Sequence, residues 1–246
     1  MIGIHIEHLT KRYATESRSV TPVNDLTLDM PAGTVTAVIG RSGCGKTTLL
    51  RLLSGLEIPD SGTMTFTDAE GRPVRPRFSV VFQEHRLFPW MNVRENVRVA
   101  VRNLAPQQQK AKTDAVLALT GLTGAADLMP AELSGGMSQR VGLARALVSE
   151  PDILLLDEAF SALDALTRRQ LYDEFVRIYT ERPVTTVLVT HDVTEAVLLS
   201  RRVCRLEDGC LASQVDVPWD YPRTLSTPGL SSLSEEILQQ FFTPDK

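Results

Sequence analysis

The chain lacks most of what would mark a metal-stapled, secreted or membrane-spanning protein. Its 246 residues hold three cysteines, Cys44, Cys204 and Cys210. Their spacing fits no metal site, and an odd number cannot all pair. Reduced cytosolic thiols are therefore expected. Positive charge is not in excess. The formal net charge is −4, which removes the electrostatic case for a nucleic-acid binder. No apolar run approaches the roughly 18–20 residues needed to span a bilayer. The start, Met1-Ile2-Gly3-Ile4-His5-Ile6, lacks the basic-then-apolar order of a secretory signal. There is no internal repeat and no low-complexity segment. What remains is ordinary: 43% hydrophobic and 23% charged residues, enough for one α/β domain with a sizeable core, or one domain with a subdomain.

One stretch stands out. Gly40-Arg41-Ser42-Gly43-Cys44-Gly45-Lys46-Thr47-Thr48 follows the G-x-x-x-x-G-K-[ST] pattern of a P-loop. Before it, Thr34 to Ile39 is apolar and β-branched, as a buried strand requires. After it, Leu49, Leu50, Leu52 and Leu53 recur at helical spacing up to a capping position at Gly55. Glycines let successive N–H groups turn inward around an anion, and the following helix points its positive end at the same place. Lys46 adds a charge for the β- and γ-phosphates, and Thr47 a hydroxyl for Mg²⁺. The pattern implies a nucleoside triphosphate. It does not distinguish kinase, GTPase, helicase or transport motor.

In chain order, Ile2 to Leu9 alternates apolar and polar residues and reads as an edge strand. Tyr13 is either an aromatic that stacks on a base or an ordinary tyrosine. Phe78 to Phe82 reads as a strand. Gln83 at its end either reaches Mg²⁺ and the attacking water or lies on the surface. Leu87-Phe88-Pro89-Trp90-Met91 is unusually apolar for a loop, and reads as a satellite core contact or as a docking surface. Pro106 suits a first helical position, and Gln107 to Leu119 an amphipathic helix closed by Gly121.

Leu133-Ser134-Gly135-Gly136-Met137-Ser138-Gln139-Arg140 opens another helix, with Ser134 as N-cap. Ser-Gly-Gly exposes backbone N–H groups, a second anion site, unless it is simply a capped helix. A chain with one P-loop has no need of two such sites, so the second is expected to serve the nucleotide of another copy. Ile153 to Leu156 is a strand ending in Asp157 and Glu158. With a P-loop upstream, these acids suit Mg²⁺ and the attacking water. Ser161-Ala162-Leu163-Asp164 opens a helix to about Thr180. Thr185 to Thr190 is a strand, with His191 and Asp192 at the end where ligands are met in open α/β sheets; His191 is otherwise a structural histidine. Asp208-Gly209 reads as a hairpin turn. The tail ends in a short helix, Leu230 to Phe242, with no visible chemistry.

The ordered set of Tyr13, Gly40–Thr48, Gln83, Leu133–Arg140, Ile153–Glu158, Ser161–Asp164 and His191 resembles the ATP-binding subunit of ABC transporters over nearly the whole chain. The resemblance implies the ABC ATPase fold: an α/β P-loop core with a mainly parallel sheet (about 1–93 and 150–215), an N-terminal antiparallel β region, a helical subdomain (about 94–149) and a tail (about 216–246). It implies ATP and Mg²⁺ as ligands. Tyr13 would be the adenine-stacking aromatic, Gln83 the Q-loop glutamine, Asp164 the D-loop acid and His191 the switch histidine. Ser134, Gly135, Gly136 and Gln139 would act in trans. Glu158, His191 and Lys46 would be catalytic, and Thr47, Gln83 and Asp157 would hold the metal. Val81-Phe82-Gln83-Glu84, Leu87-Phe88-Pro89-Trp90 and Met137 are similar to the nitrate, sulfonate and taurine importer branch. His85 stands where that branch has proline, and Ser138 where a basic residue is usual. The implied partners are a second ATP-binding subunit, membrane permease subunits contacted near Gln83–Met91, and a separate solute-binding protein. The implied location is the cytoplasmic face of the cell membrane, and the implied function is ATP-driven uptake of a small solute. The rival readings are a soluble ABC-type ATPase acting on nucleic acid or ribosomes, a small-molecule kinase, and a nucleotide-binding regulator without turnover.

Overall fold

A computed structural model describes residues 1–15, 18–161 and 163–242. Ala162, in the stretch that opens a helix at Asp164, and the last four residues of the tail lie outside that set. The chain forms two compact units, Met1–Pro76 with Val184–Lys246, and Arg77–Pro183.

The first unit begins with β1 (Gly3–Thr15) and β2 (Arg18–Met30), followed by β3 (Val35–Ile39), α1 (Lys46–Leu53) and β4 (Ser61–Thr67). The second unit contains β5 (Phe78–Val81), α2 (Val93–Arg98), α3 (Pro106–Leu119), α4 (Gly135–Leu147), β6 (Ile153–Asp157) and α5 (Ala165–Glu181). The chain then returns to the first unit with β7 (Thr185–Thr190), α6 (Val193–Leu199), β8 (Arg202–Glu207), β9 (Cys210–Asp216) and α7 (Leu230–Gln239).

In the first unit, β1 lies between β2 and β4, antiparallel to both. The strand expected at an edge is therefore central. Its alternation reports that one face is buried, through Ile4, Ile6 and Leu9. Alternation carries no information about how many neighbours a strand has. A second sheet runs β7-β3-β8-β9. All of β3 is buried, and it is parallel to both β7 and β8. This is why its sequence is apolar on both faces. β8 and β9 form a hairpin in which Asp208 (φ 47°) and Gly209 (φ 82°) supply the two left-handed residues of a primed turn.

In the second unit, β5 and β6 are parallel. The helices pack on a separate apolar cluster that includes Val93, Val97, Val116, Leu117, Leu122 and Val141. Each such side chain contributes about 1.5–3 kcal/mol by leaving water. The helix starts follow their sequences. Asn92 and Glu95 form a reciprocal capping box at α2, and Pro106 opens α3. The three cysteines are free thiols, and burial pushes the Cys204 thiol up to about 12. Among the described residues, no helix is long and apolar enough to cross a membrane.

Candidate active site

Each unit brings a set of the predicted residues to one end of its parallel strands. In the first unit, Ile39 on β3 pairs in register with Thr190 on β7. Gly40 and His191 therefore leave neighbouring strands side by side. The loop from Gly40 to Gly45 then turns into α1. Its last residue, Gly45, has φ 109°, and a Cβ there would lie 1.8 Å from the Pro22 carbonyl oxygen. No L side chain fits that conformation or that space. Gly45 is the N-cap of α1 and supplies no side-chain cap, so the first-turn N–H groups are not covered by a capping oxygen. Lys46 is buried and turned into the loop, where its ammonium donates to the carbonyls of Gly40 (2.7 Å) and Arg41 (3.0 Å). Arg41, Ser42, Gly43 and Thr47 are exposed, Thr48 is half-buried and Cys44 is buried. Loop, helix end and lysine together form a concave, electropositive cradle suited to phosphate oxygens.

Tyr13 is 39% exposed. Its hydroxyl donates to Glu57, and the Lys11 ammonium lies 5.5 Å from its ring centroid. Burial, then the bond to Glu57, raises the phenol above its ordinary range. The ring is thus anchored by the loop that follows α1. His191 is exposed, and Asp192 caps α6 by accepting from the Glu195 N–H at 3.1 Å. His191 and Asp192 also line a cavity of about 520 Å³ with Leu225, Leu230 and Leu238. The tail reaches the P-loop too: the Arg41 guanidinium donates to the Phe241 carbonyl at 2.6 Å. Sequence reasoning missed both contacts. No periodicity in the tail signals a partner 200 positions away.

In the second unit, Val81 on β5 pairs with Leu156 on β6. Gln83 and the pair Asp157-Glu158 therefore follow the same ends of two parallel strands. Gln83 is exposed and both acids are half-buried. Glu158 has φ 47°, a left-handed backbone rarely adopted outside glycine. Its carbonyl accepts from the Ser161 N–H (3.1 Å) and hydroxyl (2.9 Å), which close the turn. Asp164 then caps α5, accepting from Leu166 and Thr167 N–H. The Thr167 bonds hold its carboxyl below the usual range.

The Ser-Gly-Gly helix start is α4. The Ser134 hydroxyl accepts from the Met137 N–H at 3.2 Å. Ser134 and Gly135 are exposed, whereas Gly136 is buried, and a Cβ on Gly136 would meet Thr167 Cγ2 at 2.5 Å. Gln139 is not on the exposed side. It is 2% exposed, and its side chain accepts from His85 of the same chain. The apolar loop is built over Asn96, whose side chain accepts from Phe88 N–H and donates to the carbonyls of Phe88, Met91 and Asn92. Phe88 is half-buried, while Trp90 is 68% exposed.

Oxygen donors suited to a small hard cation are present in Thr47, Gln83 and Asp157. No cluster of three or more His, Cys, Asp or Glu residues occurs among the described residues. Within the second unit, Gln83 and Asp157 follow paired strands and are the kind of oxygen donor Mg²⁺ takes beside water and phosphate oxygens.

A phosphate cradle at the end of a buried parallel strand, continuing into a helix, defines the first unit as a P-loop nucleotide-binding fold. Residues 23–161 match the family model described as ABC transporter, and the chain belongs to that family. It is an ATP-binding, ATP-hydrolysing cassette with the ABC ATPase fold. The chain is 46% identical to an aliphatic sulfonates import ATP-binding protein of Rhizobium johnstonii, over 89% of this chain and 80% of that one. It is 40% identical to a bicarbonate transport ATP-binding protein of Synechococcus elongatus, over 96% of this chain but only 37% of that longer one. The dimeric structure of a post-hydrolysis state of an ATP-binding cassette with ADP and Pi superposes with a TM-score of 0.74 at 25% identity, covering 88% of this chain and all of that one. The alternative of a soluble ATPase acting on nucleic acid or ribosomes finds no support in these relatives.

Proposed function

We propose that this chain powers an importer for a small organic sulfonate by binding and hydrolysing ATP between two copies. The observation that carries the ATPase chemistry is the cradle of uncapped N–H groups around the buried Lys46. The sulfonate assignment rests on the 46% identical relative. Gly40–Thr48 hold the triphosphate, with Lys46 at its β- and γ-phosphates, and Tyr13 stacks on the adenine. The second copy's Ser134, Gly135 and Gly136 offer further N–H groups to the γ-phosphate, and its Asp164 lies at the same interface. The γ-phosphate thus joins the copies, and its loss lets them part. Glu158 accepts the proton of the attacking water. The new P–O bond forms as the bond to the β–γ bridging oxygen breaks, leaving ADP and phosphate, while His191 contacts the γ-phosphate. Thr47, Gln83 and Asp157 are the oxygen donors that would hold Mg²⁺, which would supply positive charge against the phosphates. The surface from Gln83 to Met91, with Trp90 outermost, meets membrane permease subunits on the cytoplasmic face. A separate binding protein delivers the solute.

The test is uptake in the source cell. Deleting the gene should abolish ATP-dependent uptake of a labelled alkanesulfonate and leave nitrate and bicarbonate uptake unchanged. The parent chain should restore it, and Glu158→Gln should not. Loss of nitrate or bicarbonate uptake instead would overturn the sulfonate assignment. Unchanged uptake of all three would overturn the importer reading.

A further inference from the structure

The segment Gln83–Met91 and helix α4 are joined by a side-chain contact between His85 and Gln139. His85 Nδ1 lies 2.6 Å from Gln139 Oε1. Gln139 is 2% exposed, and its Nε2 makes no hydrogen bond, so its oxygen is the only part of a costly buried amide that is satisfied. The same helix grips the segment again further along. Arg145 donates to the carbonyls of His85 and Arg86, both at 2.9 Å, and its guanidinium lies 5.9 Å from the Phe88 ring centroid. Arg86 has φ 45° and places its own guanidinium 4.2 Å from the Phe82 ring centroid. The segment at 85–86 is therefore held to α4 at two points, by Gln139 and by Arg145. Gln139 sits on α4 only about 7.5 Å, at 1.5 Å per residue, from the Ser134 N-cap. An α-helix transmits displacement along its axis over that distance with little bending, because its backbone bonds are satisfied internally.

We propose that His85 is a positioning residue that locks Gln83–Met91 to α4, so that displacement of the docking segment is carried to Ser134–Gly136. The proposal rests on the reading that those three residues serve the ATP of a second copy.

The test compares His85→Leu, which removes the bond, with His85→Asn, which keeps an N–H at the position of Nδ1. Two readouts are taken: backbone hydrogen exchange in the first turns of α4, and the kcat and KM of ATP hydrolysis. His85→Leu should speed exchange at Met137–Gln139 and lower kcat about fivefold to tenfold, the worth of one buried hydrogen bond. KM for ATP should stay within about twofold, because the P-loop is untouched. His85→Asn should restore both readouts to within about twofold of the parent. Gln139→Met removes the same bond from the helix side and should reproduce the His85→Leu exchange pattern, which decides the matter should His85→Leu not fold. Equal losses in the Leu and Asn variants, parent-like exchange in His85→Leu and Gln139→Met, or a rise in KM without a fall in kcat would each overturn the proposal. Exchange requires no turnover. A parent without ATPase activity would therefore count against the functional reading, while the exchange pattern would still decide the latch.

Discussion

The two helix starts proposed to meet the nucleotide are built differently. α1 begins at a glycine with φ 109°, has no side-chain cap and carries a lysine turned back into the loop. α4 begins at a serine whose hydroxyl already accepts from one first-turn N–H, and it has no cation at that turn. The α1 start is a complete cradle: geometry, donors and charge are all local. The α4 start has donors but neither the positive charge nor the enclosing loop. A triphosphate would be held by the first and only completed by the second. On the proposed reading, this asymmetry is what lets one nucleotide join two copies through its γ-phosphate and release them once that group is lost.

Two experiments bear directly on that asymmetry, and a third on the neighbouring cap of α5. The largest effect is expected from Lys46→Ala, which removes the charge from the complete cradle. ATP turnover should fall at least about a hundredfold, read as phosphate release, and full retained activity would erase the distinction. Next come the glycines at the two starts. Gly45→Ala places a methyl against the Pro22 carbonyl in a left-handed backbone and should cost about 3 kcal/mol or more. Gly136→Ala meets the Thr167 side chain, with Cγ2 at 2.5 Å and Cβ at 3.9 Å, which must shift, but it needs no left-handed backbone and replaces glycine by a better helix former. It should cost less than Gly45→Ala by about 1 kcal/mol or more. Chemical denaturation measures both, and equal costs would refute the claim that only the first cradle is sterically closed. The smallest effect concerns the Asp164 cap of α5. Its carboxyl is held low by the bonds from Thr167, so the unfolded chain binds a proton more readily than the folded one. The cap's contribution is then complete above the ordinary aspartate range near pH 4. It is lost as pH falls through and below that range. The protection of the Leu166 and Thr167 amides, measured relative to intrinsic exchange at each pH, should fall there in the parent and show no such step in Asp164→Asn.

Legibility followed distance along the chain. The P-loop, the strand before it and the helix after it could be read because strand, turn and helix are consecutive. The Pro106 start of α3, the Ser134 cap and the Asp208-Gly209 turn were equally local, each decided by a few neighbouring backbone groups. Features that depend on remote partners were not readable. Alternation in β1 gave the buried face, but pairing on both sides made it central rather than an edge. Gln139 is among the residues expected to act in trans, yet its side chain is buried against His85. The tail showed no chemistry in sequence, while its Phe241 carbonyl meets Arg41. Nothing in the residue type of Glu158 announced its left-handed backbone.

The sequence by itself therefore determined the class of this protein and the order of its chemical groups, because glycine, proline, capping side chains and apolar period act through local sterics and local hydrogen bonds. Only the tertiary structure decided which groups stand together: Gly40 beside His191 through the register of β3 with β7, Gln83 and Asp157 at the ends of paired β5 and β6, and His85 on Gln139. Strand register and side-chain burial are set by the packing of segments far apart in the chain, and no short stretch carries that information.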